Sequence, residues 1–292
     1  MSEPLVSVLV PVLNVAALLP RCLDSLLAQT HRPLEIIVVN DGSTDDSAEV
    51  LRDYAERYPE VRAISQAHRG VGPARNAALS LAGGDYVAMV DADDWVEPTF
   101  LTDTARLARE TGADVVVTSL WFHFWGVRIP FPFRPRVPQL TGFEAAELSL
   151  HLTRFPAFAW NKLYRRDLFR PGEQPFPNIY YEDIATTPLL LARAGTVAQT
   201  RRAYYHYCLR KDSITGAFGV RNVFAFAAAL AILRRELQRE GRWEAWYPSF
   251  RGLLRQARVM MTLQVLLQPN RIPLRSRGPL LARFARRLRA LT

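Results

Sequence analysis

Cysteine, lysine and long apolar runs are scarce in this chain of 292 residues. Its two cysteines, Cys22 and Cys208, lie far apart and without the spacing of a metal-binding motif. Both fall in segments predicted to be buried, so we expect a reduced chain rather than a disulfide-bonded secreted one. No apolar run reaches the length of a bilayer span, and the N-terminus lacks a signal-peptide pattern. These absences predict a cytoplasmic protein, either soluble or peripheral at the inner face of the cell membrane.

Acidic residues are missing after Glu244, whereas ten arginines follow that point and the formal net charge is +9. Residues 279–292 form a predicted helix with arginines around one apolar side, which consists of Leu280, Leu281, Phe284, Leu288 and Leu291. Such a helix suits an anionic membrane surface. Two alternatives stay open: a helix packed on the protein with a solvated basic face, and a frayed tail. No recognition motif accompanies the charge, so we expect no nucleic-acid partner.

The most informative feature that is present is an apolar run ending in three carboxylates. Tyr86–Val90 is predicted to be a buried strand, and Asp91, Asp93 and Asp94 follow it. In an extended segment Asp91 and Asp93 point to the same side, where they repel each other unless a cation joins them. Mg²⁺ and Mn²⁺ take oxygen ligands and also hold substrate phosphates. The alternative is an acidic turn that caps the next helix.

The preceding segments alternate between predicted strands and helices. The predicted strands lie in Val6–Asn14, where Pro11 ends the strand, in Leu34–Asn40 and in Val61–Gln66. This order favours a parallel sheet covered by helices, with ligands at the carboxyl ends of its strands. Asp41 at the tip of the second strand could accept a hydrogen bond from a base, although Asp41-Gly-Ser-Thr44 is equally typical of a turn and a helix cap.

Four motifs in series resemble the family 2 glycosyltransferases of GT-A fold. They are Val6-Ser-Val-Leu-Val-Pro-Val-Leu-Asn14, Val38-Val-Asn-Asp-Gly-Ser-Thr-Asp45, Gly70-Val-Gly-Pro-Ala-Arg-Asn-Ala-Ala78 and Val90-Asp-Ala-Asp-Asp-Trp95. Thinner similarity continues in Trp160-Asn-Lys-Leu-Tyr164, Tyr181-Glu-Asp-Ile184 and the segment 205–215, as in enzymes that build capsular, exopolysaccharide or teichoic-acid-type glycans. The resemblance implies an α/β, Rossmann-like nucleotide-diphospho-sugar transferase domain.

The resemblance also implies roles on the donor side. The residues implied to bind the nucleotide sugar are Pro11, Asn14, Asp41, Arg75, Asp91, Asp93, Arg210 and Ser213. Asp41 would read the imide edge of uracil, and Arg75 would lie along the nucleotide side of the cleft. Asp91 would approach the ribose or a metal-bound water, while Asp93 would bind the metal that bridges the diphosphate. Arg210 and Ser213 would close over the diphosphate, where a guanidinium fork matches phosphate oxygens.

On the acceptor side, Asp183 beside Glu182 would be the general base that deprotonates the incoming hydroxyl. The alternative is that both acids merely suit the positive end of the helix they begin. Trp160 and Lys162 are predicted to line the acceptor side, where Lys162 could meet a phosphate or carboxylate, although a surface ion pair would explain it as well.

The whole chain is therefore predicted to be a GT-A domain over residues 1–217 with a helical basic region over 218–292. That region could cover the site, form a homo-oligomer or touch a membrane. The expected reaction is inverting, metal-dependent transfer from a nucleotide-diphospho-sugar, most simply a UDP-sugar, to a glycan, lipid-linked or small-molecule acceptor. One alternative is a sugar-1-phosphate nucleotidyltransferase, which would need a glycine-rich basic loop after the first strand, yet no glycine precedes Gly42. Another is a non-catalytic nucleotide-sugar-binding protein.

Overall fold

A mixed β-sheet organises the structure, a computed structural model that describes residues 3–124, 126–131, 137–151, 155, 157–209, 219–267 and 272–292. Within these residues ten strands form the sheet: β1 (Val6–Val12), β2 (Leu34–Asn40), β3 (Val61–Ser65), β4 (Tyr86–Met89), β5 (Trp95–Val96), β6 (Val115–Phe124), β7 (Val127–Pro130), β8 (Gln139–Thr141), β9 (Lys162–Arg165) and β10 (Thr196–Cys208). Their order is β3-β2-β1-β4-β9-β6-β10-β5, with β7 beside β6 and β8 beside β10.

Helices cover this sheet and extend beyond it. Those in the described residues are α1 (Leu19–Leu27), α2 (Ser47–Arg57), α3 (Val71–Leu81), α4 (Phe100–Thr111), α5 (Gly142–Ser149), α6 (Glu182–Arg193), α7 (Val220–Arg239), α8 (Trp243–Leu267) and α9 (Leu274–Arg289). The predicted alternation of strands and helices up to β4 is confirmed. The first strand continues to Val12, one residue past Pro11, where the sequence predicted its end. Asn14, with a φ of 51°, lies in the turn that follows.

The parallel half of the sheet creates the crevice in which ligands of such folds bind. β1 pairs in parallel with β2 on one side and with β4 on the other. The chain therefore moves outward from β1 to β3 and then returns across β1 to β4. Such a reversal leaves a gap between helices above the carboxyl ends of β1 and β4. Pro11 to Asn14 and Asp91 to Asp94 are placed at that gap.

The second half of the sheet runs in mixed directions and closes over the same edge. β9 pairs antiparallel with β4 and β6, whereas β10 runs parallel to β6 and antiparallel to β5. β5 directly follows the acidic turn after β4, and its Trp95 and Val96 pair with His206 and Tyr205 of β10. The last residues of β10 consequently lie beside the acidic turn.

The C-terminal helices pack against the start of α6. The ring of Phe226 on α7 lies 5.3 Å from that of Tyr181, and Asn222 donates to the Tyr181 hydroxyl at 3.4 Å. Arg193 at the end of α6 binds Glu240 at 2.8 Å. The predicted helical C-terminal region is therefore confirmed and supports the element that carries Glu182 and Asp183. The predicted boundary at residue 217 lies outside the described residues and stays a prediction.

The apolar side of the last helix, α9, faces the protein and not a membrane surface as the membrane hypothesis requires. Leu280, Phe284 and Leu288 of α9, which were expected to face a lipid surface, are buried among the other helices. The prediction for this side of α9 is wrong, and the packed-helix alternative applies, because the apolar side chains find a protein surface to cover them. No helix in the described part of the chain is long and apolar enough to cross a membrane.

Candidate active site

The loops after β1 and β2 are joined to each other by Asn14. Its side-chain oxygen accepts hydrogen bonds from the backbone N–H of Thr44 at 2.8 Å and from the Thr44 hydroxyl at 3.3 Å. Its own N–H donates to the Ser43 hydroxyl at 3.0 Å. Pro11 lies next to Val39 in the register of β1 with β2. The motif that ends in Asn14 thus fixes one wall of the crevice to the Asp41-Gly-Ser-Thr44 turn.

Asp41 organises the loop that follows β3. Its buried carboxylate accepts from Gln66 Nε2 at 2.6 Å, from His68 Nδ1 at 2.8 Å, and from the N–H groups of Arg69 and Gly70 at 2.9 and 2.7 Å. Four donors occupy the acceptor positions that a carboxylate offers. The implied contact with a base would therefore have to replace one of them, and His68, whose side chain is 60% exposed, is the one at the surface.

The glycines of the third motif allow the chain to pass close to the loop before α6. Gly70 has a φ of 101°, which L side chains rarely adopt. A Cβ at Gly72 would collide with the carbonyl oxygen of Pro177. Asn76, one turn further along α3, donates to the Phe176 carbonyl at 2.8 Å and accepts from the Phe176 N–H at 3.1 Å. This motif therefore seats the segment that leads into Glu182 and Asp183.

Arg75 connects the two acidic motifs inside the protein. Its guanidinium is 3% exposed and donates from Nη2 to Asp91 Oδ1 at 2.6 Å and from Nη1 to Glu182 Oε1. Burial would lower the pKa of Arg75, but the carboxylates of Asp91 and Glu182 raise it above its ordinary value. The family resemblance implied that Arg75 lies along the nucleotide. In the structure its guanidinium lies behind the crevice, where it fixes the end of β4 to the start of α6.

We expect Arg75→Ala to lower the free energy of unfolding by ~3–5 kcal/mol, because it leaves buried carboxylates without their counter-ion. Urea denaturation measures this. Arg106→Ala is the matched control, since Arg106 also pairs with two acids, Asp103 and Glu110, but on the exposed surface of α4. That control should change stability by only ~0–1 kcal/mol. Equal effects of the two substitutions would contradict the role given to Arg75.

The turn after β4 holds three carboxylates in different surroundings. Asp94 is buried and accepts from the Tyr205 hydroxyl and the Cys208 N–H, each at 2.7 Å. Burial, followed by the charges of Asp93 and Asp91, raises the pKa of Asp94 well above its ordinary value. Asp91 and Asp93 are partly exposed, and Arg21 holds the backbone carbonyl of Asp93 at 2.8 Å. Asp94 therefore anchors the turn to β10, while the other two carboxylates reach the crevice.

These carboxylates fit a metal ion that arrives with a phosphate ligand. The described residues contain no group of three or more His, Cys, Asp and Glu side chains arranged to hold a metal. Of the carboxylates in the described turn after β4, Asp91 and Asp93 are the two that could serve as ligands, and one oxygen of Asp91 already accepts from Arg75. Mg²⁺ and Mn²⁺ are commonly held by one or two carboxylates together with substrate phosphates and water. The two carboxylates therefore suit a metal ion that is bound jointly with substrate phosphates. They do not suit a site built from protein ligands alone.

Asp183 has the properties of a base near neutral pH. It lies in the first turn of α6, where its Oδ1 accepts from the Ile184 N–H at 2.8 Å. Burial, together with the charge of Glu182, raises the pKa of Asp183 to about 7, although Arg75 acts in the opposite direction. Burial also raises the pKa of Glu182, which is engaged by Arg75. Of the two acids, Asp183 is the one that does not pair with this arginine.

Trp160 and Lys162 lie behind the site, which corrects the prediction that they line an acceptor surface. Trp160 is buried and stacks on Phe158 and Tyr205, with ring centroids 4.4 Å apart in both pairs. Lys162 is fully buried, and its ammonium donates to the Phe158 carbonyl at 2.6 Å and to Asn161 Oδ1 at 3.0 Å. Burial lowers the pKa of Lys162 to about 7, with the charge of Asp183 opposing that change. Both residues support the site from within.

Two groups of residues were not identified from the sequence. Tyr205 accepts from the Asp91 N–H at 3.0 Å and donates to Asp94, so it connects β10 to both acids. His206 donates from Nε2 to Glu97 Oε1 at 2.9 Å, because a carboxylate can only accept, and bonds His123 Nε2 at the same distance. Tyr205 and His206 begin the segment 205–215 that resembles the family, and this resemblance was the signal that could have drawn attention to them. Arg210 and Ser213 lie outside the described residues.

Comparison with known proteins identifies the family of this chain. The sequence profile of glycosyl transferase family 2 matches residues 7–172. The chain is 35% identical over 216 residues to the uncharacterized glycosyltransferase YibD of Escherichia coli (strain K12), covering 72% of this chain and 62% of that protein. It is 38% identical over 217 residues to the uncharacterized glycosyltransferase EpsJ of Bacillus subtilis (strain 168), covering 73% and 63%. The matched part spans less than two thirds of either relative.

Solved structures share the fold. S. aureus TarS 1–349 in complex with UDP-GlcNAc superimposes with a TM-score of 0.65 at 19% identity, covering 98% of this chain and 90% of that one. The mannosyltransferase PcManGT from Pyrobaculum calidifontis, in complex with GDP-Man and Mn²⁺, gives 0.59 at 20% identity, covering 99% and 87%. Both confirm the expected GT-A architecture. Because the family profile covers more than half of the sequence, this chain belongs to glycosyl transferase family 2.

Proposed function

We propose that this family 2 glycosyltransferase is an inverting, metal-dependent enzyme that uses a UDP-sugar. The observation that carries the proposal is the connection made by Arg75, which holds Asp91 at the donor end of β4 and Glu182 at the start of α6. Asp183 is next to Glu182 in the chain and interacts electrostatically with Arg75 and Asp91, so we assign it to the same crevice, on the side opposite the donor-binding acid. A donor-binding acid and a base on opposite sides of one crevice suit a single displacement at the anomeric carbon.

Asp41 and the wall formed by Pro11 and Asn14 would bind the nucleotide. A uracil imide N–H can replace the bond from the exposed His68 to Asp41 Oδ2, while the Arg69 and Gly70 N–H groups keep the carboxylate in place. Cytosine presents an acceptor at the corresponding ring nitrogen and would meet this carboxylate with repulsion. This difference supports a preference for UDP over CDP.

Asp91 and Asp93 would hold Mn²⁺ or Mg²⁺ against the diphosphate. The ion supplies positive charge that stabilises the departing nucleoside diphosphate. Arg210 and Ser213, implied by the family resemblance, would add a guanidinium fork and a hydroxyl to the same phosphates. Arg75 has a separate task, because its charge is already used by two carboxylates.

Asp183 would take the proton from the acceptor hydroxyl as that oxygen attacks. Since Oδ1 accepts from the Ile184 N–H, we assign Oδ2 to the hydroxyl. The acceptor oxygen would form a bond to the anomeric carbon from the face opposite the diphosphate while the bond between that carbon and the diphosphate oxygen breaks. The nucleoside diphosphate leaves with the bonding electrons, and the proton moves to Oδ2. The acceptor would be a glycan, a lipid-linked sugar or a small molecule.

A sugar-1-phosphate nucleotidyltransferase is not favoured, because the turn after β1 is occupied by the Asn14 contacts to Ser43 and Thr44 and carries no glycine-rich basic loop.

A screen of nucleotide sugars by thermal shift, with and without Mn²⁺, tests the proposed donor class. We expect UDP-sugars with Mn²⁺ to raise the melting temperature most, by mass action. Stabilisation by nucleoside triphosphates together with sugar 1-phosphates would favour the nucleotidyltransferase, and binding without any transfer or donor hydrolysis would favour a non-catalytic protein.

The pH dependence of transfer should report Asp183. A base works only when deprotonated, and its pKa of about 7 replaces the ordinary value near 4. We therefore expect kcat/KM for the acceptor, with saturating donor, to rise about tenfold per pH unit up to about 7 and then level off. Lys162→Met should shift this rise to higher pH, because the charge of Lys162 favours ionised Asp183. A profile that stays flat between pH 5 and 8 would contradict the assignment.

A further inference from the structure

An apolar surface is exposed at the C-terminal end of α8. Val259, Leu263, Leu266 and Leu267 are 60%, 52%, 51% and 74% exposed. Their spacing of four, three and one residues puts them on one side of an α-helix. We call these four residues the α8 apolar face. The opposite side of the same helix, including Ala257, Met261 and Val265, is buried in the protein core. The helix is thus apolar on two sides, and the rest of the described protein covers only one of them.

The end of α8 that carries this face is fixed in place. Arg277, which is buried at the start of α9, donates from Nη1 to the Leu266 carbonyl at 3.3 Å and from Nε to the Ile272 carbonyl at 2.9 Å. A cation at this position also suits the negative end of a helix. The α8 apolar face is therefore exposed on a helix whose position is fixed by contacts with the rest of the protein.

Exposed arginines lie on α8 itself and on α9, which packs against α8. Arg251, Arg255 and Arg258 precede the α8 apolar face along α8, and their helical positions lie beside that face. The exposed surface of α9 adds Arg275, Arg283, Arg286, Arg287 and Arg289. No acidic residue follows Glu244 in the chain. The region combines exposed apolar side chains with an excess of positive charge that no nearby sequence neutralises.

We propose that the α8 apolar face docks on an anionic membrane surface. Helices with apolar side chains on one side and arginines around them lie at the boundary of headgroups and acyl chains. A second copy of the chain is a poorer occupant, because a two-fold contact through this face would bring two arginine-rich surfaces together without acids to offset them. This inference is independent of the proposed donor and mechanism, and it places lipid contact on α8 and not on the buried side of α9.

Co-sedimentation of the full-length protein with vesicles tests this proposal. We expect binding to phosphatidylglycerol–phosphatidylcholine vesicles at low salt and much weaker binding to pure phosphatidylcholine. Binding should weaken as salt rises, because the Debye length shrinks from ~10 Å at 0.1 M to ~3 Å at 1 M. The double substitution Leu263→Gln/Leu267→Gln should abolish binding without unfolding the protein, since both side chains are exposed. Arg255→Gln/Arg258→Gln should weaken it roughly 25-fold, about fivefold for each arginine.

Ile129→Gln is the matched control, because Ile129 is 50% exposed on β7, outside the basic region, and should leave binding unchanged. Transfer to a soluble acceptor should be unaffected in all these variants. The proposal would be overturned if wild-type protein ignored acidic vesicles at low salt, or if the Leu263/Leu267 variant bound them normally. A dimer that this variant dissociates, seen by light scattering in protein that binds no vesicles, would assign the face to a second copy instead.

Discussion

Replacing Asp183 by asparagine is expected to lower turnover by ~10²–10⁴-fold, the usual contribution of general-base catalysis, while donor binding persists. Asparagine keeps the size of the side chain and can still accept from the Ile184 N–H, which holds the aspartate in the present structure. It cannot take a proton from an attacking hydroxyl. Stopped assays of transfer give turnover, and calorimetry gives donor affinity.

Asp167→Asn is a suitable control, because Asp167 is an exposed acid paired with Arg165 and lies away from the crevice. It should have no measurable effect on turnover. Near-normal turnover of the Asp183→Asn enzyme would transfer the role of base to another group. Loss of donor binding in the same variant would instead show that Asp183 helps to hold the donor or its metal.

The parallel half of the fold could be predicted because its signals are local. β1 and β2 are nearly continuous apolar runs, as strands buried on both faces require, and polar residues mark their ends. The connections between them contain helices with ordinary start and stop signals. Since the carboxyl ends of parallel strands meet at one edge, the approximate positions of Asn14, Asp41 and Asp91 followed from the order of elements alone.

The interior partners of the site could not be predicted, because they depend on contacts between distant segments. Arg75 and Glu182 are 107 residues apart, and Tyr205 and Asp94 are 111 apart. An arginine in a donor motif suggests a phosphate contact, whereas its burial between two acids depends on how α6 packs beside α3. Trp160 and Lys162 were assigned to a surface for the same reason: a tryptophan and a lysine are frequent at sugar sites, and only the packing of β9 and β10 buries them.

The C-terminal helices show how a correct pattern can be assigned to the wrong partner. The apolar side of α9 was correctly recognised, but periodicity does not tell whether protein or lipid covers it. α7 and α8 supply the covering surface, so Phe284 becomes part of the core. α8 has apolar residues on more than one of its sides. Its hydrophobic pattern therefore departs from the simple helical period on which such predictions depend.

Replacing Asp93 by alanine is expected to abolish transfer and Mn²⁺-dependent UDP binding while leaving the fold intact. Among the described residues of the crevice, Asp91 and Asp93 are the two carboxylates proposed as ligands, so loss of one removes half of that share of the coordination. The turn itself should survive, because Arg21 binds the backbone carbonyl of Asp93, which alanine retains. Loss of a charge beside Asp91 and Asp94 also relieves repulsion, so we expect no fall in the melting temperature.

Calorimetric titration of UDP, with and without Mn²⁺, measures this effect directly, and circular dichroism verifies the fold. Asp53→Ala is the matched control, since it removes the same charge from an exposed position on α2, where Asp53 pairs with Arg57. That variant should bind UDP and Mn²⁺ as the wild type does. If folded Asp93→Ala protein kept its Mn²⁺-dependent affinity for UDP, Asp93 would not be a ligand. Asp91 alone would then be a poor metal ligand, because one of its two carboxylate oxygens already accepts a hydrogen bond from Arg75.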